Sequence, residues 1–369
     1  MEWIVWLKAR DFRKLIPIGL IFGLLCLEII LFLATIVFVS RQQNNSGTKI
    51  QPTIAITATS TPSATPTLTP TPTITPSIAP VQTSSKILFG IGSQAGPAMD
   101  YRLVKEAPVH MLTSWYNGSR DLEWMRVQQN DLIPRLYARG YVVHLITWTD
   151  LPENSIDTPH GPACGRPYPV STQVVEDMKQ LAQIYNGPGP MYVSLFTEFQ
   201  TYTCTDNNWI GNENYYNTLK DNFRKIKDIF HQYAPQSKVG LSWGGWSNRY
   251  DDTVNQGGRS LFPYFADVLR ESDFTAFQTM ESDTNIQDML NMTRILGAYG
   301  KPVMLSHYKP SSGSEEVFNN DMRGLFTDDV IQQLTRNGFF AFSFMDDEII
   351  NKSETSYQLV KTGIQKYGK

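Results

Sequence analysis

Charge is scarce in this 369-residue chain: only 18% of its residues are Asp, Glu, Lys or Arg, and 32 basic against 35 acidic side chains leave a net charge of −3. A nucleic-acid binder normally carries a basic patch and a high pI, so that class is excluded. Cysteine and histidine are scarce as well. Three Cys and five scattered His supply neither a dense disulfide framework nor a cysteine-rich zinc module, and neither a metal nor another cofactor is expected. No Gly-rich phosphate loop of the dinucleotide-binding kind is present. Aromatics, by contrast, are plentiful, with 8 Trp, 17 Tyr and 19 Phe. The length alone corresponds to roughly two domain equivalents, but the averages conceal three unlike segments.

The first segment is apolar. Residues 1–14 hold Lys8, Arg10, Arg13 and Lys14, and Leu15 to Val39 then run 25 residues with one charge, Glu28. About 20 apolar residues in a helix cross a hydrocarbon core of roughly 30 Å. A cleaved signal peptide would have a shorter apolar core, about 7–15 residues, ending at small residues. Here Phe38 and Val39 end the run and Arg41, Gln42 and Gln43 follow. The expectation is an uncleaved signal anchor over residues 15–40. The basic flank places residues 1–14 in the cytoplasm and the remainder outside a cell membrane crossed once. Glu28 at mid-span is expected to be neutral or paired with another helix, and Cys26 lies inside the span.

Residues 41–85 form the second segment, mostly Thr, Pro, Ser and Ala from Gln51 onward. With almost no charge and no large aromatic side chain it cannot bury a core. Frequent Pro favours an extended chain of about 3.1 Å per residue, so some 30 residues reach roughly 90 Å. It reads as a disordered stalk, of a composition compatible with O-glycosylation.

Residues 86–369 remain, close to the roughly 250 typical of a (β/α)₈ TIM barrel. Eight short β-rich runs cover 87–92, 109–115, 141–148, 191–198, 238–243, 274–280, 302–308 and 338–345. Amphipathic stretches separate them, and Gly140, Gly187, Gly300 and Gly338 stand where helix C-caps belong. Near-continuous apolar strands alternating with helices indicate a parallel sheet. An open doubly wound sheet is the rival, but eight repeats without a phosphate loop favour closure.

In such a barrel the site lies at the C-terminal ends of the strands. Those ends carry Trp115 and Tyr116, Trp148 with Asp150, Glu198 with Gln200 and Tyr202, and Trp243 with Trp246. The later strands end in Gln278 and Glu281, His307 and Tyr308, and Asp346, Asp347 and Glu348. Acids and Trp gather there while Lys and Arg are nearly absent. That rim suits a neutral, hydroxyl-rich sugar and not a phosphorylated ligand, which would call for Arg, Lys or an anion nest. Some of these rings are expected to pack between barrel and helices instead. Cys164 and Cys204 fall in the loops after the third and fourth strands, and outside the cell a disulfide between them is expected. Asn117-Gly-Ser and Asn291-Met-Thr are sequons that matter only in a glycosylating host.

The segment from MYVSLFTEFQTY to NNWIGNENYYNTLKDNFRKIKDIFHQYAPQSKVGLSW resembles the retaining clan A glycoside hydrolases, most closely the family 26 mannanase type. The resemblance extends over residues 86–369, with its specific part between the fourth and fifth strands. It implies that Glu198 is the acid/base, followed by Trp209 and Gly211 of the family's Trp-x-Gly. Two positions depart from the pattern. The histidine usual before the fourth-strand glutamate is Thr197, and the seventh strand, Lys301-Pro302-Val303-Met304-Leu305-Ser306-His307, ends in His307 where the nucleophile glutamate belongs.

A retaining glycosidase needs two carboxyl groups about 5 Å apart, and imidazole cannot supply one. The second carboxylate then comes from Glu281 or Asp346. At about 6.5–9.5 Å separation it would activate water in an inverting reaction, with Glu198 as general acid. The alternative is a catalytically inactive barrel that binds glycan through Glu198 and Trp115, Trp148, Asp150, Gln200, Tyr202, Trp209, Trp243, Trp246, Gln278, His307 and Tyr308. A barrel with no ligand is the third possibility. Polysaccharide or a cell-surface glycan, and the membrane through residues 15–40, are the expected partners.

Overall fold

The structure is a computed structural model, and it describes residues 86–148, 150–200, 212–250 and 260–369. The expected anchor and stalk (1–85) and four expected site residues, Tyr202, Cys204, Trp209 and Gly211, lie outside the described residues. Among the described residues no helix is long and apolar enough to cross a membrane.

Ten strands form among the described residues: β1 (Leu88–Ile91), β2 (Val109–Tyr116), β3 (Val142–Trp148), β4 (Glu153–Thr158), β5 (Gly161–Gly165), β6 (Met191–Thr197), β7 (Ser237–Gly244), β8 (Thr275–Thr279), β9 (Val303–Tyr308) and β10 (Phe339–Phe344). Eight of them close into a barrel in the order β1-β10-β9-β8-β7-β6-β3-β2, and every neighbouring pair is parallel. These are the eight β-rich runs of the sequence, each end displaced by one residue at most. β4 and β5 are an antiparallel hairpin in the loop after the third barrel strand. Its polar first strand ENSIDT, mostly exposed, carries no period-2 apolar signal.

The helices follow local rules. Residues 121–140, read as one amphipathic stretch, divide into Asp121–Gln128 and Leu132–Ala138. Pro134 has no N–H and its ring would clash with the carbonyl four residues back, so a single helix cannot run through. Gly140, Gly300 and Gly338 take the left-handed conformation of a helix end, with φ of 77°, 78° and 88°. Gly187 does not, and its reason is packing: a Cβ there would lie 2.1 Å from Tyr137 Cε2.

Burial separates two cores. The larger fills the space between the strands and the surrounding helices. A smaller one, with Leu88, Met111, Phe274, Met304 and Phe340, plugs the N-terminal half of the barrel interior. Above it, toward the strand C-termini, the interior turns polar. His144 is fully buried and uses both ring nitrogens, Nδ1 with Thr113 Oγ1 at 3.1 Å and Nε2 with Ser194 Oγ at 2.9 Å. Thr113 Oγ1 continues to Ser343 Oγ at 2.9 Å. This satisfied layer stiffens the floor on which the strand ends stand.

Candidate active site

Parallel strands deliver their C-terminal residues to one end of the barrel, and there a cavity of about 750 Å³ opens. Of the residues read from the sequence, it brings together Trp115, Trp148, Glu198, Trp246, Gln278 and Glu281. Further walls come from Asn117, Asp121, Trp124 and the two methionines Met280 and Met345. Acids and indoles line it, and among the described residues no Lys or Arg does.

Glu198 stands just past the end of β6 in an unusual backbone. Its φ is +58° and that of Phe196 is +57°, the two left-handed non-glycine residues among those described. Each such residue costs on the order of 1–3 kcal/mol and persists where the surroundings over-determine it, typically at functional sites. The register between β3 and β6 shifts at the same point, between Ile146 and Trp148, so strand pairing and strain end together. Gln278 Nε2, from β8, donates to Glu198 Oε1. Burial pushes the Glu198 carboxyl above its ordinary 4.5; Arg166 and the Gln278 amide pull it back, and neighbouring Glu281 adds to the rise.

Glu281 is held through both its side chain and its backbone. Its carboxylate meets Arg249 Nη2 at 3.3 Å, and Arg249 Nε meets buried Asp288 Oδ1 at 3.3 Å. Its backbone N–H donates to Asn285 Oδ1 at 2.8 Å. Opposite, Asp121 orders a polar wall. Its Oδ2 accepts from Asn117 N at 2.7 Å and from Asn117 Nδ2 at 3.1 Å, and its Oδ1 accepts from Trp124 Nε1 at 3.1 Å. The loop carrying Asn117 is tethered on both sides, because Tyr116 and Ser119 each donate to Asp177 Oδ2 at 2.6 Å.

Other residues read from the rim are placed elsewhere. Trp243 is fully buried, stacked on Phe262 at 4.6 Å and edge-on to Phe199 at 4.8 Å. It packs between barrel and helices, as half of such rings are expected to do. Trp243→Ala is expected to cost about 3–5 kcal/mol, the range for emptying a large aromatic site, and a denaturant-unfolding midpoint that does not fall would count against that placement. Tyr308 is likewise buried and donates to Asp321 at 2.7 Å. Gln200 links two loops, donating to Ser247 Oγ at 2.5 Å and accepting from Gly244 N at 3.3 Å. Asp150 accepts from Tyr168 N at 2.9 Å. Asp346 is ion-paired with Lys309 Nζ at 2.7 Å and is not among the cavity walls, so of the two acids expected to supply the second carboxylate only Glu281 lines the cavity.

His307 ends the seventh barrel strand below the cavity. It is 1% exposed, with its ring 4.6 Å from that of Trp115 and Nδ1 3.3 Å from Ser306 Oγ. Burial, with His144 near, lowers its pKa from 6.5 to about 3, so at neutral pH it is an uncharged floor residue. Cys164, on β5, is disulfide-bonded, whereas Cys204 of the expected pair lies outside the described residues. No group of three or more His, Cys, Asp and Glu among the described residues is arranged to hold a metal.

Sequence reading missed Asn117, Asp121 and Trp124. The signal was present in DLEW directly after the second strand, but an acid in a first helical turn reads equally well as favourable charge near a helix N-terminus. Arg166 was missed too. It is 7% exposed, 5.8 Å above the Trp148 ring, and follows β5, a hairpin strand outside the barrel.

A closed eight-stranded parallel barrel with its cavity at the strand C-termini is the (β/α)₈ TIM-barrel fold. No family model matches the chain, and no curated protein matches it in sequence. Solved structures do. Xylanase XynB from Paenibacillus barcinonensis, complexed with a conduramine derivative, is 9% identical, with 78% of this chain and 99% of that one covered at a TM-score of 0.50. A thermostable mutant of xylanase Xyn10A from Cellvibrio japonicus is 10% identical, with 76% and 97% covered at 0.49. A GH10 endoxylanase from a sugarcane soil metagenome is 12% identical, with 75% and 90% covered at 0.46. At such identities the likeness is one of fold. It is to family 10 barrels and does not bear on the family 26 motif.

Proposed function

We propose that this chain is a glycoside hydrolase acting on polysaccharide outside the cytoplasm, tethered by residues 15–40 and held off the surface by residues 41–85. Glu198 is the general acid and Glu281 the second carboxylate. The observation that carries this reading is Glu198 itself: a carboxyl whose pKa burial raises, on a strained backbone, in an indole-walled cavity shared with Glu281. With imidazole at position 307 the usual strand-end nucleophile is missing, and the reading adopted is the inverting one. Glu198 gives its proton to the leaving glycosidic oxygen while Glu281 takes one from the water that attacks the anomeric carbon. Three lining acids without a lining base favour a neutral glycan over a polyuronate. The Cys164–Cys204 bridge, by this reading, staples the loops after the third and fourth barrel strands.

The test is hydrolysis by the purified full-length chain of xylan, mannan and glucan, followed by reducing ends and by the anomer first formed. Release from at least one polymer with inversion is expected. Binding without release would establish the second reading, a glycan-binding barrel. That reading draws on the ion pair by which Arg249 engages the Glu281 carboxylate. Neither binding nor release would remove both.

A further inference from the structure

The cavity floor contains polar atoms that the protein leaves without partners. Gln278 is 1% exposed, and while its Nε2 is committed to Glu198, its Oε1 is buried with no hydrogen-bond partner. Trp115 Nε1 is buried without a partner as well. Both residues line the cavity. A shielded acceptor and a shielded donor left unmade cost about 1–3 kcal/mol each, a cost recovered by a ligand that answers both. One hydroxyl group does: its hydrogen goes to an acceptor and its lone pairs receive a donor.

His307 explains how the donor is held. Its ring meets Trp115 at 4.6 Å and 65°, an edge-on contact that fixes the indole from below. Gln278 and His307 are also register partners on neighbouring strands. Ser306 Oγ donates its single hydrogen to Phe277 O at 3.0 Å, so at the 3.3 Å contact His307 Nδ1 is the donor and the ring is locked to β9. The residue that replaces a carboxylate at the end of the seventh strand is thus a wedge under the indole.

We propose that Trp115 Nε1 and Gln278 Oε1 form a receptor for a single sugar hydroxyl, with Gln278 joining that hydroxyl to Glu198 through its other end and His307 positioning the indole. The receptor deepens the function proposed above and rests on it for the identity of the ligand as a sugar. It makes Gln278 a positioning residue for the acid: the amide that grips Oε1 is oriented by the bound hydroxyl. It also sets specificity, because a ligand deoxygenated at that carbon leaves both atoms unpaired in a dry floor, the situation in which discrimination is largest.

The test is calorimetric binding of xylotriose, mannotriose and cellotriose to the full-length chain carrying Glu281→Gln, which leaves the Glu198–Gln278 contact intact. In that background Gln278→Met and Trp115→Phe are each expected to weaken the best trisaccharide about tenfold, a loss of about 1.4 kcal/mol. The double variant should lose distinctly less than the hundredfold expected of independent contacts. A monodeoxy series of the same trisaccharide should contain one member for which neither substitution matters. Independent losses that multiply to about a hundredfold, or undiminished affinity in Gln278→Met, would overturn the receptor. Hydrolysis that survives Glu281→Gln would instead count against the two-carboxylate reaction and leave the receptor standing. His307→Phe, which keeps an edge under the indole, should bind within about twofold of its parent, and His307→Ala should lose as much as Trp115→Phe does; parental affinity in His307→Ala would remove the wedge.

Discussion

Glu198→Gln is expected to lower kcat/KM by about 10²–10⁴-fold, the span that a positioned proton donor contributes, while raising the stability of the fold at neutral pH. The two effects have one origin. The Glu198 carboxyl has its pKa raised by burial, so the folded state prefers the protonated form. For a carboxyl shifted in that direction, the contribution to stability is full below the unfolded-state value and is lost as pH rises toward and through the folded value. At neutral pH the chain therefore carries a buried acid that would ionise more easily unfolded. Glutamine removes that liability, and its Oε1 still accepts from Gln278 Nε2, so the local hydrogen bond survives. Activity assays and thermal melts on one preparation check both halves. The alkaline limb of the wild-type pH profile should also lie above the ordinary carboxylate range, since the general acid must be protonated to work. Undiminished hydrolysis in Glu198→Gln would remove the assignment, and a lowered melting point with lost activity would make Glu198 a structural residue.

The barrel was legible because its strands are continuous apolar runs, such as YVVHLITW and GFFAFSFM, whose length and flanking glycines set them apart from the helices between. The rim was legible for the same reason: once the strand ends are known, Trp115, Trp148, Glu198 and Gln278 follow. What the sequence does not carry is direction. Trp243 and Trp246 both belong to the fifth strand end, yet one is buried against Phe262 and the other lines the cavity. Residues 243 and 246 straddle a strand end where alternation stops, so period-2 reasoning cannot tell them apart. Tyr308 points away from the cavity beside His307 because strand neighbours face opposite sides, and the register there shifts against both flanking strands. Asp346, at the end of the eighth barrel strand, is engaged by Lys309, 37 residues away in sequence, at 2.7 Å. Long-range partners of this kind are a tertiary fact.

Stability should fall steeply as pH drops from about 6.5 toward 3, and His307→Phe should lessen that fall. His144 and His307 are both fully buried, and burial lowers each from 6.5 to about 3, with His144 lowering His307 further. Between those two values the unfolded chain takes up protons that the fold refuses, so unfolding is favoured as pH falls. The stability these neutral imidazoles contribute is complete above about 6.5 and is withdrawn through the window below it. Each group adds at most about 1.4 kcal/mol per pH unit to the slope. His144 is the harder of the two to replace, since Thr113 and Ser194 both depend on it. His307 leaves Nε2 unpartnered, so a phenyl ring removes a buried unmet nitrogen while keeping the edge against Trp115. Urea unfolding of wild type and His307→Phe at pH 7.5, 6, 5 and 4 isolates this contribution, because the surface carboxylates are common to both. The two curves should nearly coincide at pH 7.5 and diverge by about 1 kcal/mol or more per unit below pH 6. Parallel curves would mean that protonated imidazole is accommodated at the barrel floor, and that position 307 is less dry than its burial implies.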